Sequence, residues 1–133
     1  MSISRNTVQR EVVYGILKTE KTHPTAEELF IKAKGQCPDI SLATVYRHLK
    51  GFLAEGKAIT VETEDKKVHY DGDVSLHSHF YCTKCAKIYD IFETPAPLKG
   101  LGEQSGFIVE RESHAYFGVC KNCAEKGGAK GVN

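Results

Sequence analysis

Four cysteines carry the clearest chemistry in the chain. Cys82-Thr83-Lys84-Cys85 and Cys120-Lys121-Asn122-Cys123 are two C-x-x-C knuckles with 34 residues between them. Each knuckle can place two thiolates on one ion from a tight turn, and four thiolates leave no open position, which describes a structural Zn2+ site. Because folding must bring the knuckles together, a binding energy on the order of 10 kcal/mol becomes folding energy. A redox dithiol needs one C-x-x-C in a βαβ setting, and here there are two. The interval between them is longer than in a simple zinc ribbon, so the spacing speaks for the metal and not for that fold. Cys37 stands alone beside Pro38 and reads as a small buried hydrophobe.

A second set of ligand-type side chains surrounds the first knuckle. His77-Ser78-His79 precedes it, Asp71 stands before that run, Asp90 follows, and His23 lies far away at the first turn of an expected helix. Two histidines two apart on a strand point the same way. Imidazole with carboxylate suits Fe2+, Mn2+ or Zn2+, and two carboxylates neutralise a divalent charge. The same spacing also suits surface histidines and turn aspartates, and the residues alone leave both readings open. His48 and His69 read as solvent or phosphate contacts, and His114, alternating with Glu112, as a surface histidine.

Positioning these groups requires an ordered set of elements. Val8, Val12, Val13, Ile16 and Leu17 give a first amphipathic helix that ends near Thr19 to Thr22. Thr25 and Glu28 form a capping box for a second helix, with Ala26, Leu29, Phe30 and Ala33 on one face, ended by Gly35 and Pro38. Ser41 caps a third, in which Leu42, Val45, Leu49, Phe52 and Leu53 share a side, Thr44, Arg47 and Gly51 fall opposite, and Gly56 closes the end. Two short helices joined by a brief turn match a helix-turn-helix whose second member enters the major groove. Ala58–Thr63 and Lys67–Tyr70 form a hairpin fit to serve as a wing. Asp71-Gly72-Asp73 reads as a hinge. Beyond it, strands are expected over His79–Thr83, Lys87–Phe92 and Phe107–Val119, with a helix over Leu98–Ser105, and Lys126–Asn133 as a disordered tail.

The whole-chain figures are compatible with this plan. At 133 residues there is room for one ordinary domain or two small ones. Charged residues at 26% and hydrophobic residues at 41% are ordinary globular values, which disfavours disorder and a membrane class for the chain as a whole. No apolar run approaches a membrane span, and the first thirty residues hold no continuous apolar stretch of the secretory kind. The expected location is the cytoplasm, where cysteines serve as ligands or thiols. A net charge of +1 gives no global attraction to a polyanion, so DNA binding must come from a local basic surface.

Taken together, His23-Pro24-Thr25-Ala26-Glu27, Ala43-Thr44-Val45-Tyr46-Arg47-His48-Leu49, His69-Tyr70-Asp71 and His77-Ser78-His79-Phe80-Tyr81-Cys82-Thr83-Lys84-Cys85 resemble the ferric uptake regulator family over nearly the whole chain. The resemblance implies an α+β homodimer with an N-terminal winged helix-turn-helix DNA-binding domain over 1–70, a hinge over 71–74 and a C-terminal α/β dimerisation and metal-binding domain over 75–125. It also implies that His23, Asp71, His77, His79 and Asp90 form one regulatory site for Fe2+ or Mn2+. Aspartates at 71 and 90 resemble the peroxide-sensing repressors, where the iron-uptake branch more often has glutamates; zinc-uptake regulators place a cysteine among these ligands, and none stands here.

Several positions depart from the family pattern. Arg47 resembles the iron-uptake branch, the chain enters the first assigned helix near Ser4 without the family's extra leading helix, Ala86 replaces a frequent glycine with little expected effect, and Ser78 replaces an aspartate of a third metal site, so no third site is expected. The resemblance implies a repressor of double-stranded operator DNA that is not an enzyme and not on a membrane. Thr44, Tyr46 and Arg47 are its base-edge or phosphate candidates and His48 and Lys50 its positioning contacts. His23 and His77 are the residues expected to be oxidised by peroxide. An iron-uptake regulator using Fe2+ as corepressor is the alternative within the family. An open His77/His79/carboxylate iron enzyme and a thiol oxidoreductase are the alternatives outside it.

Overall fold

Ser4 accepts a hydrogen bond from the Thr7 amide at 3.1 Å and opens α1 (Arg5–Thr19). The computed structural model describes residues 4–93, 105–110 and 113–126. Thr25 and Glu28 cap each other reciprocally at the start of α2 (Ala26–Lys34), with the Thr25 amide donating to Glu28 at 2.8 Å. Ser41 accepts from the Thr44 amide at 3.1 Å and starts α3 (Leu42–Ala54). That helix stops in a Schellman turn: the Lys57 amide donates to Phe52 at 2.8 Å and the Gly56 amide to Leu53 at 3.2 Å, with Gly56 at φ 73°.

Val13 and Leu17 of α1, Leu29 and Ala33 of α2 and Val45, Leu49 and Phe52 of α3 fill one core, and Cys37 and Ile40 close it from the α2–α3 turn. The buried stripe of α3 is rotated from the expected one. His48 is buried and Leu53 is exposed, because positions 45, 48, 49 and 52 follow the helical period more closely than a stripe through 53.

Beyond α3, β1 (Ile59–Val61) pairs antiparallel with β2 (His69–Asp71), Ile59 opposite Asp71 and Val61 opposite His69. Their connecting turn is held by Asp65, which accepts from Thr63 Oγ1 at 2.7 Å and from the Lys67 amide at 3.0 Å. β2 also ties back to the entrance of α2, the Tyr70 amide donating to Pro24 O at 2.9 Å. Asp71 therefore belongs to a strand. Gly72 is packed so closely on α1 that an added Cβ would lie 2.9 Å from Leu17 O. The chain divides into two compact units, Met1–Ser75 and Leu76–Asn133.

In the second unit, β3 (Ser78–Cys82) is central, flanked by β4 (Ile88–Ile91), antiparallel, and β5 (Ala115–Gly118), parallel. A short helix, α4 (Lys121–Glu125), follows the second knuckle. The last strand is far shorter than the expected Phe107–Val119. Its parallel register begins at His79 opposite Ala115, and β3 itself begins at Ser78, so residues 107–110 have no edge of β3 to pair with. The helix expected over Leu98–Ser105 lies, apart from Ser105, outside the described residues, as does the tail from 127 onward.

Candidate metal centres and DNA-reading helix

The two knuckles meet across the ends of β3, β4 and β5. The four cysteine sulfurs all lie within 4.8 Å of one another, Cys82 being 3.8 Å from Cys123 and Cys85 3.8 Å from Cys120. Four thiolates at ~2.3 Å from a tetrahedral zinc ion are about 3.8 Å apart, so the sulfur cage fits that ion. Backbone amides point into it: those of Cys85 and Cys120 donate to Cys82 Sγ at 3.4 and 3.3 Å. Burial pushes the Cys82 thiol up, but these amides and that of Lys84 outweigh it and bring it down to about 6. The Tyr89 hydroxyl, donating to Cys120, holds that thiol down as well. Burial and the neighbouring sulfurs push Cys123 up to about 12.

The first knuckle turns through Ala86 at φ 64°, with the Ala86 amide donating to Cys82 O at 2.8 Å. A left-handed residue here is natural for glycine and strained for alanine. Contrary to expectation, the alanine at this position is therefore a structural cost.

The imidazole and carboxylate residues are paired within each unit. In the first, His23 Nε2 lies 3.4 Å from Asp71 Oδ2, both side chains buried. In the second, His77 Nε2 and His79 Nε2 converge on Asp90 Oδ1 at 3.3 and 3.4 Å. His77 enters this group from just before β3, and Phe92 stacks on its ring. Two ligands held at ~2.1 Å by one divalent ion are about 3.0–3.4 Å apart, so these separations fit shared coordination better than the 2.7–2.9 Å of a charge-assisted hydrogen bond. A neutral imidazole and carboxylate set accepts Fe2+, Mn2+ or Zn2+.

His69 is not a solvent contact. It is buried in β2, where Nδ1 donates to His23 O at 2.7 Å and Nε2 to Asp65 Oδ2 at 2.7 Å. The Asp65 carboxyl, raised by burial but lowered more strongly by Thr63, His69 and the Lys67 amide, sits at about 2.

On α3, Tyr46, Arg47 and Lys50 are exposed and Thr44 is half-buried at the helix start. Tyr46 donates to Glu27 of α2 at 2.8 Å, and Arg47 donates to Asn6 of α1 at 2.7 Å. Both side chains are thus held at the surface by the helices behind. His48 is buried where a phosphate contact was expected: its ring packs against Phe52 with Nε2 buried and without a hydrogen-bond partner among the described residues, and burial holds it below the usual imidazole range. Asn6 and Asp65 were not singled out from the sequence, since only tertiary contacts give them a role.

A model of the ferric uptake regulator family matches residues 2–101. The chain belongs to the ferric uptake regulator family. Within it, the peroxide-responsive repressor PerR of Staphylococcus epidermidis is 32% identical over 126 residues, which cover 92% of this chain and 83% of the relative. The peroxide stress regulator of Campylobacter jejuni is 34% identical with a TM-score of 0.73, the alignment covering 90% of this chain and 91% of that one. The ferric uptake regulator of Helicobacter pylori, 24% identical with a TM-score of 0.69 over 93% of this chain and 83% of that one, shares the fold. The segment matching the ferric uptake regulator model ends before Cys120 and Cys123, so the second knuckle's place beside the first rests on the geometry above.

Proposed function

We propose that this protein is a cytoplasmic, homodimeric, metal-dependent repressor of the peroxide-responsive type that binds double-stranded operator DNA. Cys82, Cys85, Cys120 and Cys123 hold a structural Zn2+. His23, Asp71, His77, His79 and Asp90 hold one regulatory Fe2+ or Mn2+. Such an ion supplies a divalent charge and a fixed coordination geometry. The observation that carries the reading is the pre-pairing of ligands on each side of the chain's division: His23 with Asp71, and His77 and His79 with Asp90.

With one cation bound, these side chains would fix the angle between the DNA-reading unit and the pairing unit, across the hinge over 71–74. A dimer must present two α3 helices about 34 Å apart along the DNA, so fixing that angle raises the competent population. A hundredfold gain in DNA affinity needs only about 2.7 kcal/mol of coupling. Thr44, Tyr46, Arg47 and Lys50 contact DNA, His48 being excluded by its burial. Exposed Phe107, Ile108 and Val109 supply apolar surface for the dimer. His23 or His77 is the side chain that would gain an oxygen from hydrogen peroxide in the ferrous form, and its loss as a ligand would release the DNA.

An electrophoretic mobility shift on promoter DNA with metal-free, Mn2+ and Fe2+ protein, before and after peroxide, tests this. Binding should need either metal, and peroxide should abolish it only in the Fe2+ form, with one added oxygen on a His23 or His77 peptide. Metal-independent binding would contradict the proposal. Metal-dependent binding that survives peroxide would instead favour the iron-uptake branch, to which Arg47 is similar.

A further inference from the structure

His23 sits at φ 60°, a conformation uncommon for any residue with a Cβ, and its side chain is buried. Something must hold that peptide in place. The carbonyl of His23 points at the wing, where His69 Nδ1 donates to it at 2.7 Å. The other nitrogen of the same ring donates to Asp65 at 2.7 Å, and Asp65 is fixed by the Lys67 amide and Thr63 in the β1–β2 turn. Backbone contacts reinforce the junction on both sides: Thr25 bridges His69, and the Tyr70 amide donates to Pro24 O. One strand residue further along is Asp71, the partner of the His23 ring.

We propose that His69 is the positioning residue of His23: its ring, set by Asp65, clamps the His23 carbonyl and holds the peptide in the left-handed conformation from which the imidazole meets Asp71. The effect on metal binding rests on the reading of His23 as a ligand; the clamp itself does not. The wing therefore presents the His23–Asp71 pair through the Nδ1 contact of His69. Supporting groups behind a ligand typically contribute 10–100-fold to metal affinity.

Two replacements separate the two bonds. His69→Asn keeps an N–H near Nδ1 and loses the reach to Asp65; His69→Gln keeps an N–H near Nε2 and loses the donor to His23. With zinc-loaded full-length protein titrated with Mn2+, H69Q should bind about 10–100-fold more weakly and H69N within about threefold of the native chain. In the Mn2+-free protein, the His23 Cα and Cβ chemical shifts should keep their positive-φ signature in H69N and lose it in H69Q. Equal losses in both variants would overturn the proposal, since general damage to the wing would explain them. Native-like Mn2+ binding by H69Q, while His23→Ala abolishes it, would overturn it too. If H23A leaves Mn2+ binding unchanged, the ligand reading fails instead, and the His23 shifts decide alone: retained in H69Q they overturn the clamp, lost they support it.

Discussion

At the scale of single residues, the energetics turn on groups whose environment opposes their default state. Ala86 occupies a left-handed turn, so Ala86→Gly should raise the thermal midpoint, by an amount corresponding to about 0.5–1 kcal/mol. Removing one thiolate, as in Cys82→Ser, breaks a closed set of four; native mass spectrometry should show loss of the zinc and circular dichroism loss of strand signal. Asp65 has a folded value of about 2 against an ordinary 3.8, so its carboxylate stabilises the fold fully above about pH 4 and ceases to as pH falls through 2. Asp65→Asn should therefore cost on the order of 1–2 kcal/mol at pH 7, a deficit that shrinks on acidification, read by comparing melting curves of the two proteins. The cysteine knuckles were legible because their spacing is local and their chemistry has few other uses. His48 and His69 were not: both are polar by type, yet one lies on the apolar stripe of α3 and the other is buried by contacts 4 and 46 residues away.

At the scale of elements, the helices were written plainly in the chain, since caps at Thr25 and Ser41 and the Gly56 stop are short-range signals. Strand ends are set differently. β5 is limited by where β3 begins, a partner over thirty residues upstream, and no pattern within Phe107–Val119 encodes that limit. The segment after β2 shows the same dependence on distant contacts. Asp71-Gly72-Asp73 reads as a hinge, but Gly72 faces the backbone of Leu17 at a distance that admits no Cβ. Because a helix backbone cannot retreat as a flexible side chain would, Gly72→Ala should destabilise the first unit by about 1–3 kcal/mol, measured by urea unfolding followed through helical circular dichroism. The join between α1 and the end of β2 is thus closely packed.

At the scale of the whole molecule, function follows from a division of labour. One unit carries α3, the proposed DNA-reading helix, together with His23 and Asp71; the other carries the sulfur cage together with His77, His79 and Asp90. Neither half-set has enough ligands to saturate a divalent ion, and the proposed site draws five from the two. On the proposed function metal binding and hinge angle are one equilibrium, and by linkage operator DNA should tighten Mn2+ binding by the same factor by which Mn2+ tightens DNA binding. The most direct measurement is anomalous diffraction at the manganese edge from crystals of the zinc- and manganese-loaded protein. The account predicts a manganese peak bonded to His23 and Asp71 on one side and to His77, His79 and Asp90 on the other; a peak bound by the second set alone, with the His23 ring remote from it, would contradict it.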